Sequence, residues 1–334
     1  MTTNKNTKIG FLIFPGFPMS CLTSMIEPLR VANEISNQDV FSWKLISENG
    51  GRVEASANVS FDPDLALADA DGLDLMFVLS GPSTPFENAQ ASEGKLRKLA
   101  RHGMTMGAIS GGVFPLARAG LLDGHVTSVH WCYEAAFLAE FPKIEATEDV
   151  IVLDPTRLTA SGAAAAFDLS LHLIEEVMTA DIATEVACWF QHPIVRGQGV
   201  TQRRPTFASE LTNDMLPKMV RKAIDIFSAN LEDTVKIIDV ADEIGVSVRQ
   251  LERVFLKTTD MTPLRYYKHL RMHKARQLLL YGKDSMIQIA LAVGYSSTAS
   301  MSKTYMEVFN VLPRDDRKKI NMFRVRENSI LPSA

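Results

Sequence analysis

Residues 108–117 of this 334-residue chain read AISGGVFPLA. A single serine, Ser110, follows the short apolar run 104–109 and precedes a helical pattern, with Gly111 and Gly112 directly behind it. This is the layout of a nucleophile elbow, where a tight strand-to-helix turn lifts a hydroxyl out of the backbone. The spacing is Ala-x-Ser-x-Gly, one residue away from the hydrolase pattern Gly-x-Ser-x-Gly. A glycine-lined turn of this kind also brings backbone N–H groups close to a ligand. Covalent chemistry at Ser110 and simple binding at its turn both remain open.

A second set of residues offers a different chemistry. Between 248 and 257, Arg249, Arg253 and Lys257 recur at i, i+4 and i+8 with Gln250 beside them, so a helix there aligns three cations on one face. Guanidinium forks and carboxamides are the groups that read base edges in a DNA major groove. Cys21, Cys132 and Cys188 are odd in number and far apart, which gives neither a disulfide framework nor a metal spacing. They read as small buried apolar residues. His269 and His273 at i, i+4 have the spacing of a metal pair but no third ligand nearby, and read as solvated surface histidines. No metal and no cofactor is expected.

The elements that must position these groups follow from composition and period. With 46% hydrophobic residues over 334 positions, the chain has material for two ordinary domains. No apolar stretch nears the roughly 20 residues that cross a bilayer, and MTTNKNTKIG lacks the layout of a signal peptide, so a cytoplasmic protein is expected. Net charge is −4, yet residues 231–326 carry 17 Lys and Arg against 11 Asp and Glu, a balance of +6, while the rest stands at −10. A basic C-terminal third on an acidic body points that third toward nucleic acid.

Apolar runs recur at 8–14, 43–47, 74–80, 104–110 and 150–154, with amphipathic stretches such as 20–34 and 93–102 between them. Near-continuous apolar strands alternating with helices predict a parallel sheet covered on both faces. A long helix over 167–190 would close that domain, placed at 7–192. The segment 193–207, with two Pro, two Gly and three Arg, has no apolar period and is expected to begin a linker over 193–212. From 213 to 322 the pattern is helical. There Ile238 to Ile244 forms a short helix, Gly245 a turn, and Ser247 with Gln250 a capping box for a second helix whose Leu251, Val254 and Phe255 face inward. Residues 285–309 repeat the plan around Gly294, exposing Ser297, Thr298, Ser300, Lys303 and Thr304. Helix, glycine turn and capped helix make a helix-turn-helix unit, and two such units flank the basic helix 263–282.

On these motifs, DVADEIGVSVRQLERVF, the T-P-x-x-Y of Thr262, Pro263 and Tyr266, the R-x-x-K-A-R-x-L-L from Arg271 to Leu279, and IQIALAVGY, residues 231–320 resemble the AraC/XylS DNA-binding domain. The resemblance implies two helices in successive major grooves, placed here at 248–257 and 298–309. Base reading then falls chiefly to Arg249, Gln250 and Arg253, with Lys257 on the same face and Ser297, Thr298, Ser300 and Lys303 on the second helix. The second unit departs from the family in Ala299, Met301, Lys303, Asn310 and the DDRKK run after Pro313. Lys303 in place of an arginine favours backbone phosphates over bases.

The N-terminal segment resembles ThiJ/PfpI-type domains, related to class I glutamine amidotransferases and fused to AraC-type regulators in the GlxA group. FPGF (14–17), IEPLRVAN (26–33), SGPS (80–83), the run 108–131 and TASGAAAAFDLSLHLIEE (159–176) carry it. The resemblance implies an α/β flavodoxin-like fold whose elbow holds a cysteine in the enzymes; here it is Ser110. Glu27 falls at the position of the enzymes' glutamate, and His130 in an H-W pair. A hydroxyl is far harder to ionise than a thiol and needs a base held by a third group, so a Ser110–His130–Glu27 hydrolase or amidase stands as the alternative. The main expectation is no catalytic residue but a ligand crevice lined by Phe17, Glu27, Gly81, Pro82, Ser110, Gly111, His130 and Trp131. The IEPLRVAN variant is similar to regulators of quaternary-amine and amino-acid catabolism, which implies a betaine, amine or amino acid as effector. In total the resemblance implies a dimeric activator of a catabolic operon that meets promoter DNA, an effector and RNA polymerase, with no membrane partner. A DNA-bound scaffold without any effector is the third reading.

Overall fold

A computed structural model describes residues 6–192, 195–204 and 215–324. The chain divides into two compact units, with Gln202 in the first and Arg203 opening the second.

The first unit is built on β1 (Thr7–Ile13), α1 (Met19–Ser36), β2 (Phe41–Ser47), the short strands β3 (Val53–Glu54), β4 (Ser60–Phe61) and β5 (Leu65–Ala66), then β6 (Leu75–Ser80), α2 (Ala89–Arg101), β7 (Thr105–Ser110) and α3 (Val113–Arg118). It is completed by β8 (Thr127–Ser128), α4 (Glu134–Glu140), β9 (Ala146–Thr147), β10 (Ile151–Leu153), β11 (Arg157–Ala160), α5 (Ala163–Val177) and α6 (Ala180–Trp189). Seven strands form the main sheet in the order β10-β11-β7-β6-β1-β2-β5. All neighbours are parallel except β10 and β11. Along β1, Ile9, Phe11 and Ile13 join the core formed with α1 and α5, while Leu12 on the opposite face is equally buried. Two buried faces account for the unbroken apolar runs.

Three expectations are adjusted. The run 150–154 forms the antiparallel edge strand β10, and the parallel neighbour of β7 is the four-residue β11, too short to show a period. The helix expected over 167–190 is two helices, because Thr179 caps α6 by accepting from the Ile182 N–H. The stretch 193–212 is not all linker. Arg196 is tied to α5 and Gln202 to the body of the first unit, while 193, 194 and 205–212 lie outside the described residues.

The second unit consists of α7 (Lys218–Ala229), α8 (Ile237–Ile244), α9 (Val248–Thr259), α10 (Pro263–Tyr281), α11 (Met286–Ala292), α12 (Thr298–Phe309) and α13 (Pro313–Arg324). Leu251 and Phe255 of α9 pack with Phe227 of α7 and Tyr266 and Tyr267 of α10. The two halves repeat in detail. Each of α9 and α12 ends at a left-handed residue, Asp260 or Asn310, three positions before the proline that starts the next helix. Asparagine and aspartate tolerate that conformation, so Asn310 can end α12 without a glycine.

Candidate functional site

The order of the main sheet reverses at β1, which pairs with β2 on one side and β6 on the other; ligands of open α/β sheets bind beyond the strand C-termini at such a switch point. Here those ends are Ile13, Ser80 and Ser110, with Ser80 and Ser110 side by side in register. Ser110 has φ 55°, a left-handed conformation that a serine adopts at a cost of about 1–2 kcal/mol. The glycines behind it make the turn possible. A Cβ on Gly111 would lie 2.3 Å from the Ser80 carbonyl oxygen, and one on Gly112 would lie 1.9 Å from that of Val78. The elbow read from the sequence is therefore an elbow in three dimensions.

The side chains expected around it have partners of their own. Ser110 is only 5% exposed. Glu27 sits half exposed on α1, where its Oε2 accepts from Arg30 Nε at 3.0 Å and Nη2 at 2.9 Å. His130 Nδ1, the atom that a triad acid would hold, lies 2.9 Å from the Cys132 sulfur and accepts from the Cys132 N–H at 3.3 Å. Burial pushes the Cys132 thiol up to about 12, so the sulfur keeps its proton. With Nδ1 accepting, a neutral ring carries its proton on Nε2. The ring lies against Gly162 at the N-terminus of α5, where an added Cβ would be 3.3 Å from His130 Cδ2.

Of the other residues expected here, Trp131 is partly exposed beside His130, their ring centroids 5.5 Å apart. Phe17 is fully buried edge-on against Phe61 and belongs to the core, as does Phe114 against Phe137. The sequence reading missed Cys132 as a partner of His130 and missed Gln202, whose carboxamide holds the backbone at both 129 and 131. A thiol two residues from a histidine was the available signal for the first. A glutamine in a Pro/Gly/Arg-rich segment gives none for the second.

On the face expected to meet DNA, Arg249, Gln250, Arg253 and Lys257 are all exposed on α9, while Leu251 and Phe255 are fully buried. Ser247 caps the helix by accepting from the Gln250 N–H at 3.2 Å, and the Gln250 side chain remains at the surface. The doubly bonded capping box occurs instead at Ser285 and Gln288, opening α11. Gly245 has φ 82° with open space around it, whereas Gly294 has φ 73° and faces the Glu232 and Leu231 carbonyls. Arg271 of α10 fixes that second turn, donating to the carbonyls of Val293 and Gly294 at 2.7 Å and lying over the Tyr295 ring.

Helix α12 is poorer in charge. Lys303 and Ser300 are exposed, Thr298 is partly buried, and Ser297 is the helix cap, its hydroxyl oxygen accepting from the Ser300 N–H. Behind it the departure after Pro313 is explained. Tyr305 donates to Asp316 Oδ2 at 2.7 Å, and Arg276 Nε lies 2.9 Å from the same oxygen, a buried network in which burial and the Asp316 carboxylate push the Tyr305 phenol up. His273 is not the solvated residue expected. It packs edge-on against Phe309, and burial with His269 and Arg276 nearby pushes it down to about 4. Among the described residues no group of three His, Cys, Asp or Glu is placed to hold a metal, and no helix is long and apolar enough to cross a membrane.

Comparison with known proteins gives matches across both units. A DJ-1/PfpI family model matches residues 8–176 and a helix-turn-helix domain model residues 240–319. The chain is 35% identical over 316 residues to the HTH-type transcriptional regulator GbdR of Pseudomonas aeruginosa, covering 94% of this chain and 85% of that protein. It is 30% identical over 313 residues to the HTH-type transcriptional regulator GlxA of Rhizobium meliloti, covering 93% and 96%. Among solved structures, an AraC family transcriptional regulator from Pseudomonas putida matches at 28% identity and a TM-score of 0.51, over 55% of this chain and 99% of that one.

Proposed function

We propose that this chain, which belongs to the HTH-type transcriptional regulators joining a DJ-1/PfpI domain to a helix-turn-helix domain, answers to a small molecule bound beside Ser110, His130 and Trp131. It is a sequence-specific DNA-binding regulator of transcription. The single observation that carries this is the exposed row of Arg249, Gln250, Arg253 and Lys257 on a capped second helix whose other face is core. In this reading α9 reads base edges and α12, with Lys303 and its hydroxyls, contacts mainly phosphates.

The first unit then acts as a sensor and not as an enzyme. Two features support this: Ser110 is nearly buried, and the groups a triad would use, His130 Nδ1 and the Glu27 carboxylate, are engaged by Cys132 and Arg30. The switch point instead offers an elbow, an imidazole and one partly exposed indole. A betaine, other quaternary amine or amino acid suits an aromatic face with polar groups beside it. Dimerisation, activation of a catabolic operon through RNA polymerase, and a cytoplasmic location complete the reading.

Thermal melting of the full chain against betaines, carnitine, choline, arginine and other amino acids tests the sensor. A ligand held only by the folded state adds about 2.7 kcal/mol at a concentration 100 times its Kd. The expected result is a selective, saturable rise in melting temperature that Trp131→Ala removes and Arg249→Ala leaves intact. A flat response to every compound would favour a scaffold without an effector. Turnover of an ester or amide that disappears in Ser110→Ala would restore the hydrolase.

A further inference from the structure

The chain leaves the first unit along residues 195–202, and these residues are fastened at two places of different character. At the start, Asp168 of α5 is fully buried and its carboxylate accepts from the Arg196 guanidinium at 2.7 Å, from the Arg196 N–H at 3.2 Å, and lies 2.8 Å from His192 Nε2. At the end, Val150 N–H donates to the Val200 carbonyl, Thr201 bridges to Asp149, and Gln202 N–H donates to the Glu148 carbonyl. The Gln202 side chain then reaches inward. It is 5% exposed, its Oε1 accepts from the Trp131 N–H at 2.9 Å, and its Nε2 donates to the Val129 carbonyl at 2.8 Å. A donor partner on one side and an acceptor on the other fix which end of the amide is oxygen.

Those two peptide groups flank His130, and the next residue along the exit segment, Arg203, opens the DNA-binding unit. One buried side chain therefore joins the backbone on both sides of His130 to the residue at which the chain passes from the first unit into the second. We propose that Gln202 is the coupling residue of this regulator: its two side-chain hydrogen bonds are made or broken with the position of the 129–131 backbone, and so carry the state of the crevice into the exit segment. A buried amide cannot slide gradually between partners, since a shift of about an ångström exchanges two aligned hydrogen bonds for unsatisfied groups. Two such discrete arrangements are what coupling between sites requires. The Asp168–Arg196 anchor holds the other end of the segment still, so motion at 129–131 is passed forward.

The inference rests on the reading of His130 and Trp131 as effector-facing, but its test needs no effector. Coupling is reciprocal, so DNA on the second unit must bias the same hydrogen bonds. The Trp131 amide is itself a member of the latch, and its hydrogen exchange reports whether the latch is closed. The experiment measures exchange over residues 129–133 in the full chain, with and without duplex DNA from the region upstream of its own gene. In the unmodified protein the Trp131 amide rate is expected to change by about threefold or more on DNA binding. Gln202→Leu should raise the rate in the free protein and abolish the DNA-dependent change, while DNA affinity stays within about threefold, since no DNA-facing group is altered. Gln202→Met, which removes the donor and the acceptor at similar length, should behave alike and serves if the leucine variant does not fold. Firm DNA binding without any change at Trp131, or a change that survives both substitutions, overturns the latch alone and leaves the sensor standing. No compound shifting the melting temperature while the latch still responds to DNA would remove the sensor and leave the latch.

Discussion

Arg249→Ala and Arg253→Ala are each expected to weaken binding to the cognate promoter by about 10- to 100-fold, the value of one bidentate base contact of about 1–3 kcal/mol. The two side chains lie one helical turn apart on an exposed face of α9, behind which Leu251 and Phe255 are fully buried. Truncation at Cβ therefore removes base-reading groups without opening the core, and the fold should be unaffected. The double variant should lose specific binding almost entirely and retain the weak, salt-sensitive component that any basic surface gives. Lys303→Ala supplies the contrast. On a helix with one exposed cation it should weaken all sequences alike and reduce the slope of log K against log salt by about 1. Titrations of specific and scrambled duplexes at several salt concentrations separate the two behaviours. Equal losses on both duplexes for Arg249→Ala and Arg253→Ala would move base reading off α9.

How far these roles were legible depends on what each residue uses to do its work. The α9 face was readable because it needs only helical spacing, and Ser110 because a turn that admits two glycines and excludes any Cβ writes itself as Ser-Gly-Gly. The β1, β6 and β7 strands were readable because both their faces are buried, whereas β2 exposes Lys44 and was found from its Trp43, Leu45 and Ile46. By contrast, β11 has four residues and takes its place from β7 and not from its own pattern. The pairing of Glu27 with Arg30 at i, i+3 was visible in IEPLR but was outweighed by its alignment with a catalytic glutamate. The three cysteines were read as buried apolar filler, which holds for Cys21 alone: Cys188 is exposed, and Cys132 is partly buried with its sulfur 2.9 Å from His130 Nδ1. Gln202 was the least accessible. Its partners are backbone atoms some seventy positions away, and no side-chain pattern records a bond to a peptide group.

The two turn glycines, equivalent in sequence at 245 and 294, are not equivalent in energy, and substitution should show it. Both have positive φ, 82° and 73°, so alanine at either pays the left-handed penalty of about 1–2 kcal/mol. At Gly245 nothing lies within 4 Å of the added Cβ, and the cost ends there. At Gly294 the Cβ would stand 2.6 Å from the Glu232 oxygen, 2.8 Å from the Leu231 oxygen and 2.9 Å from Thr234 Cγ2, on the connection between α7 and α8. Two of these atoms are backbone and cannot rotate away, so overpacking of about 1–3 kcal/mol is added. Gly294→Ala should thus destabilise by about 3 kcal/mol, and amides of α10 to α12 that exchange through opening of the second unit should do so about a hundredfold faster. Gly245→Ala should accelerate them by about tenfold. The difference has a functional meaning, because the crowded turn is where the second helix-turn-helix unit is pressed against the loop leading into the first, and where Arg271 grips the Val293 and Gly294 carbonyls. If that seam sets the spacing of α9 and α12, Gly294→Ala should also weaken promoter binding more than its loss of stability explains, and Gly245→Ala should not. Equal exchange rates in the two variants would mean that the loop yields and that the seam does not hold the units in register.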